Sequence, residues 1–166
     1  MDNVTYTVAA LLCSFAAAVA NTLGFFRVTC FTNRRESTRR AVYQRDALAP
    51  GEQLNFIGYS GGATVAFDAA VVLQYATGRN FAHRIIIDNI VTLGGFVFRG
   101  KPGNVTKWTE VVGTLDPIAT RNPYADAIDQ EVGISHLPVP FTEISSYVTG
   151  NGIPLTVNII RGAGLR

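Results

Sequence analysis

The run Leu54-Asn55-Phe56-Ile57-Gly58-Tyr59-Ser60-Gly61-Gly62-Ala63 decides the fold. Its first six residues are rich in branched and aromatic side chains, which predicts a buried strand over Leu54 to Tyr59. From Ala63 to Thr77 the apolar residues change to a helical period, with Val65, Ala69, Val72, Leu73 and Ala76 on one face and Gly78 as a suitable stop. Only Ser60, Gly61 and Gly62 lie between strand and helix. So abrupt a turn needs small neighbours, and it exposes the serine hydroxyl at the carboxyl edge of a sheet with a helix N-terminus aimed at it.

Gly58-Tyr59-Ser60-Gly61-Gly62 fits G-x-S-x-G, a short string that gains meaning from the strand before it and the helix after it. Ser60 is then a candidate nucleophile and the backbone N–H of Gly61 a candidate oxyanion donor. The bland alternative is a glycine-rich turn that only packs a helix on a strand. A phosphate loop fits less well, because neither G-x-G-x-x-G nor G-x-x-x-x-G-K-[ST] is present.

A serine hydroxyl is a poor nucleophile without a base, and the chain offers two histidines, His83 and His136. His83 falls between the predicted helix and the next strand, at the end of a parallel layer opposite the serine. His136, in Gly133-Ile134-Ser135-His136, follows a strand and can reach the edge that carries Ser60. The third member must be a carboxylate, and Asp116 in Gly113-Thr114-Leu115-Asp116-Pro117 lies just past a predicted carboxyl end. The order serine, acid, histidine supports it. An ordinary Asp-Pro turn is the competing reading of Asp116, and Asp126 and Asp129 are rival acids.

Further strands are expected at Ile85 to Ile87 with Ile90 to Leu93, at Trp108 to Val112, at Glu131 to Ile134 and at Leu155 to Ile160. A loop or short helix is expected at Pro123 to Ile128 and a helix at Phe141 to Val148. Strands interleaved with helices predict an α/β fold with a mostly parallel sheet covered on both faces.

Over roughly Leu54 to Gly152 these features resemble small bacterial lipases and esterases of the α/β-hydrolase superfamily. The resemblance rests on Asn55 to Gly62, the strand end Ile90-Val91-Thr92-Leu93-Gly94-Gly95, the Asp116 loop and Ile134-Ser135-His136-Leu137. It implies cleavage of a small-molecule or lipid carboxylic ester through an acyl-enzyme, without a cofactor. Ser60 would attack, His136 would carry the proton and Asp116 would hold the imidazolium. One departure stands out: no His-Gly loop, the family's source of a second oxyanion N–H, precedes Ser60. A trimmed enzyme, a chain completed by a partner and an inactive remnant each account for that, and an apolar N-terminal helix could fill the space of missing strands. The non-enzymic alternative is a membrane-associated binding or scaffold protein that keeps a hydrolase-like core.

Composition sets the outer limits. At 166 residues and 48% hydrophobic content the chain suits one compact domain. Fourteen basic against 12 acidic side chains leave a net charge of +2, which gives no reason to expect a nucleic-acid partner. Cys13 and Cys30 form no metal-ligand spacing, so free thiols and no metal are expected. Val4 to Phe26 carries no charge and is long enough to span a bilayer, with Arg27, Arg34, Arg35, Arg39, Arg40 and Arg45 following it. A spanning helix, a buried Ala-rich helix and a signal segment all fit this run. The expected organisation is an apolar helix over residues 1–26, membrane-bound or buried, a basic connecting segment over 27–50, and a hydrolase-like core over 51–166 after the break at Ala49-Pro50-Gly51.

Overall fold

A computed structural model of the chain describes residues 5–10, 27–31, 53–75, 85–119, 121–131, 133–136, 145–147 and 158. In chain order its elements are β1 (Thr5–Ala10), β2 (Arg27–Phe31), β3 (Leu54–Tyr59), α1 (Gly61–Tyr75), β4 (Ile87–Leu93), β5 (Val105–Gly113), β6 (Ala127–Glu131), β7 (Ile134–Ser135) and β8 (Ser145–Ser146). The first six strands form one sheet in the order β2-β1-β3-β4-β5-β6, and every neighbouring pair is parallel. β7 and β8 form a separate parallel pair.

All six residues of β3 are buried, as a central parallel strand covered on both faces requires. The chain runs from β1 outward to β2 and from β3 outward in the other direction, so the strand order reverses between β1 and β3. The crevice outside the carboxyl ends at such a reversal is where open α/β sheets place their sites. Ser60 follows the last residue of β3 and stands at that point.

Helix α1 covers the sheet with Gly62, Ala63, Ala66, Phe67, Ala69, Ala70 and Leu73 buried. The predicted apolar face is therefore rotated: Ala69 and Leu73 are inside, but Val65 and Val72 are half-buried. The small residues face inward because the helix starts hard against β3. A Cβ on Gly58 would stand 2.5 Å from Ala63 Cα and 2.6 Å from the Gly62 carbonyl oxygen, so only glycine permits this approach. Farther along, the Phe67 ring meets Trp108 of β5 edge-on at 4.8 Å, and Trp108 Nε1 donates to Thr92 Oγ1 at 3.0 Å. That contact fixes α1 across β4 and β5 and closes the core beneath it.

The structure corrects several expectations. Thr5–Ala10, the start of the supposed N-terminal helix, is a strand paired with both β2 and β3, and Arg27–Phe31 of the supposed connecting segment is its neighbour. Two strands among the described residues thus precede the nucleophile strand, and the sheet is less reduced than the sequence suggests. The rest of the apolar run lies outside the described residues, as do His83, Cys13 and the side chain of Cys30. Among the described residues no helix is long and apolar enough to cross a membrane.

Three further expectations shift. Glu131 to Ile134 proves to be the junction between β6 and β7, with β6 starting at Ala127 where a loop or short helix was expected. Ser145–Ser146, inside the predicted helix Phe141 to Val148, is a strand. The predicted strand Leu155 to Ile160 lies outside the described residues except Asn158, whose backbone is helical.

Candidate active site

Ser60 has φ +54°, and it is the one non-glycine residue in the left-handed region among those described. A side chain in that region costs about 1–2 kcal/mol. The surrounding bonds hold it there: Ser60 N–H donates to the Leu93 carbonyl at 3.0 Å, and the Ser60 carbonyl accepts from Ala63 N–H at 3.0 Å to open α1. The turn between β3 and α1 is thus the sharp, strained bend that G-x-S-x-G encodes. Gly61 is the first residue of α1, and the first amides of a helix have no acceptor within it. The helix N-terminus therefore offers partial positive charge beside the serine.

Asp116 reaches the same edge from β5. Its amide donates to the Gly113 carbonyl at 3.1 Å, which closes a turn directly after the strand. Its Oδ1 accepts from the amides of Ile118 at 2.8 Å and Ala119 at 3.0 Å. Its Oδ2 lies 3.0 Å from His136 Nδ1 and accepts from the Tyr147 hydroxyl at 2.9 Å. Burial alone would raise this carboxyl. The bonds from His136, Ile118, Ala119 and Tyr147 outweigh burial and hold it below the usual carboxylate range.

His136 follows β7, and its Nε2 stands 2.8 Å from Ser60 Oγ. An ionised carboxylate only accepts, so the proton on Nδ1 points to Asp116 and Nε2 is left as the acceptor for the serine O–H. The imidazole is 8% exposed and the Asp116 side chain is fully buried. Tyr59 supports the ring twice over: its hydroxyl donates to the His136 carbonyl at 2.5 Å, and its own ring stacks on the imidazole at 5.4 Å and 26°. Burial, with the Asp116 charge nearby, pushes the Tyr59 hydroxyl above the ordinary tyrosine range, which keeps it a donor.

Ser60, Asp116 and His136, singled out in the sequence, are thus brought into one hydrogen-bonded line. Asp126 is elsewhere: it pairs with Lys101 at 2.7 Å and accepts from the Trp108 amide at 2.7 Å. Asp129 belongs to β6, where its backbone pairs with Val111. Sequence reasoning gave Tyr59 and Tyr147 no part in the site and read Gly94 only as a strand end. Gly94 (φ +54°) directly follows β4, and a Cβ there would stand 2.5 Å from the Tyr147 ring and 2.7 Å from Asp116 Oδ2. The Gly94-Gly95 pair after a predicted strand was the available signal for that close packing.

No protein-family model matches the chain, and no curated protein does. Solved structures do. The RedJ thioesterase of the prodiginine biosynthetic pathway in Streptomyces coelicolor is similar with a TM-score of 0.62 at 13% identity, over 99% of this chain and 90% of that one. ClbQ of the colibactin NRPS/PKS pathway gives 0.61 at 8% identity, over 98% and 97%. YbtT, a type II thioesterase of the yersiniabactin NRPS/PKS pathway, gives 0.53 at 11% identity, over 96% and 92%. Type II thioesterases belong to the α/β-hydrolase superfamily, and the fold of this chain is the α/β-hydrolase fold.

Proposed function

We propose that the protein is a serine hydrolase that cleaves an acyl ester or thioester through an acyl-enzyme, with Ser60 as nucleophile, His136 as base and Asp116 as orienting acid. The observation that carries this reading is the unbroken line from Asp116 Oδ2 to His136 Nδ1, 3.0 Å, and from His136 Nε2 to Ser60 Oγ, 2.8 Å, at a serine held in a left-handed turn. The fold shared with thioesterases supports an acyl carbonyl as the target and widens the sequence reading from carboxylic esters to thioesters.

In this reaction Ser60 Oγ adds to the acyl carbonyl while its proton passes to His136 Nε2. The imidazolium is stabilised through Nδ1–H by the ionised Asp116. Negative charge gathers on the carbonyl oxygen, where the Gly61 amide at the N-terminus of α1 donates to it. The carbon–sulfur or carbon–oxygen bond then breaks, and His136 returns the proton to the leaving group. Water enters, His136 takes its proton, and attack on the acyl-serine releases the carboxylic acid and regenerates Ser60.

Ala10, the last residue of β1, pairs with Tyr59 in parallel register, so the carboxyl end of β1 lies level with the turn that holds Ser60. That is the position from which this fold supplies a second oxyanion amide. The missing His-Gly string therefore does not by itself argue for an inactive remnant.

Labelling with a fluorophosphonate and turnover of short acyl-thioester and p-nitrophenyl ester substrates test the proposal. Wild type should label and turn over, and Ser60→Ala should do neither. A folded wild type inert to both would refute it.

A further inference from the structure

The two-stranded sheet β7/β8 places a second residue against the site. Its register pairs Ile134 with Ser145 and Ser135 with Ser146, so the next residue on each strand, His136 and Tyr147, comes out side by side. Tyr147 is fully buried, and its ring lies 6.0 Å from that of Tyr59, which itself stacks on His136. Its hydroxyl accepts from the Gly113 amide at 2.5 Å and donates to Asp116 Oδ2 at 2.9 Å. Because Gly113 occupies a lone pair from one side, the single phenolic proton is directed to the carboxylate.

We infer that Tyr147 is a positioning residue for the hydrolysis proposed above, whose hydroxyl aims Asp116 Oδ2 at His136 and moderates its strength as an acceptor. This rests on the reading of Ser60, His136 and Asp116 as the reacting groups. Three features set the contact apart from ordinary packing. The hydroxyl shares the oxygen, Oδ2, that faces Nδ1 of His136, while the backbone amides of Ile118 and Ala119 use the other. The same hydroxyl ties Asp116 to Gly113, the strand residue from which its turn springs. Finally, any side chain at position 94 would collide with both partners, so the β4 terminus is shaped to let Tyr147 and Asp116 meet. Burial raises the phenol above the usual tyrosine range, so it stays a donor wherever the carboxylate is ionised.

The consequence is electronic as well as geometric. With Oδ1 held by two amides, loss of the Tyr147 donor leaves Oδ2 a stronger and less directed acceptor for the imidazole N–H. A stronger donor at position 147 does the reverse.

The test uses the full chain in three forms: wild type, Tyr147→Phe, and protein with 3-fluorotyrosine incorporated at position 147, whose hydroxyl is the more acidic donor. Two quantities are read: kcat and KM for a short acyl thioester, and the NMR resonance of the His136 Nδ1 proton. Tyr147→Phe should lower kcat about 10-fold with KM within twofold and move the proton downfield, and fluorotyrosine should move it upfield. A purely structural tyrosine would not shift the resonance in opposite directions. Should Tyr147→Phe fail to fold, the fluorotyrosine protein decides, since it keeps the packing. A resonance and kcat at wild-type values in that protein would overturn the inference while leaving an active wild type, and so the hydrolase reading, intact. A wild type with neither turnover nor fluorophosphonate labelling would overturn both.

Discussion

His136 Nε2 lies 2.8 Å from Ser60 Oγ although 76 residues separate them in the chain. Three crossovers, β3 to β4, β4 to β5 and β5 to β6, and the β7/β8 pair bring them together, so the distance is a product of the whole sheet and not of one loop. Groups that act as one unit lose their effect together. Ser60→Ala and His136→Ala should therefore each lower kcat/KM for a thioester by about 10⁴-fold or more, and the double variant should be no worse than either single one. Additive losses would show that the two side chains act in separate steps.

Asp116→Asn tests the orienting carboxylate. An amide can take up the same space, but it can present N–H rather than oxygen to His136 Nδ1, which favours the wrong tautomer. Comparable changes in other triads reduce kcat by about 10⁴-fold. A loss of about 10³- to 10⁴-fold with little change in KM is expected here. Steady-state kinetics on the folded variant would check it, and a loss below tenfold would mean that Asp116 serves only its turn.

Much of this site was legible in the sequence, for identifiable reasons. Leu54–Tyr59 was read to the residue because a strand buried on both faces is apolar without interruption. Asp116 and His136 were found by their places just after predicted strands, where a parallel sheet collects its loops. The same uninterrupted pattern misled at the N-terminus. Thr5–Ala10 is an inner strand, and an uncharged Ala-rich run has no period that separates strand from helix. Tyr147 was hidden because Phe141 to Val148 also fits a helix, and only the β7/β8 register reveals it beside His136. Glu110, buried in β5, has no sequence signature at all.

The left-handed backbone of Ser60 gives a prediction about stability. Alanine at this position keeps a Cβ in the φ +54° conformation, whereas glycine adopts it freely. Ser60→Gly should be more stable than Ser60→Ala by about 1 kcal/mol, although both are inactive. For a domain of this size that is roughly 2–4 °C in Tm, measurable by calorimetry. Equal melting temperatures would show that the turn stores no strain.

Gly58→Ala should act on the other side of the same bend. The new Cβ meets backbone atoms of Gly62 and Ala63, which cannot rotate away as a side chain could. The start of α1 must move, and Ser60 and Gly61 move with it. Overpacking of this kind costs about 1–3 kcal/mol, and a displaced oxyanion donor costs about 10²-fold or more in kcat. Fluorophosphonate labelling should slow in proportion to kcat. Normal labelling with lowered stability would place the strain in the helix alone.

Glu110 makes stability depend on pH. It is fully buried on β5, its Oε2 accepts from the Asn122 amide at 2.6 Å, and Oε1 has no partner among the described residues. Asn122 in turn donates to the carbonyls of Val97 at 2.5 Å and Arg99 at 3.2 Å, so this carboxyl anchors the meeting point of the connections after β4 and β5. Burial pushes it up from 4.5 to about 7, against the opposing pull of the Asn122 amide. A carboxyl that binds its proton more tightly in the folded chain favours folding when protonated. That contribution is complete below pH 4.5 and is lost as the pH rises through about 7. Glu110→Gln keeps an oxygen for the Asn122 amide and never ionises. Its Tm should match wild type near pH 5 and exceed it progressively toward pH 8, by at least a few degrees. Thermal unfolding of both proteins at unit pH steps checks this, and a constant difference across the range would show that Glu110 does not titrate in the fold.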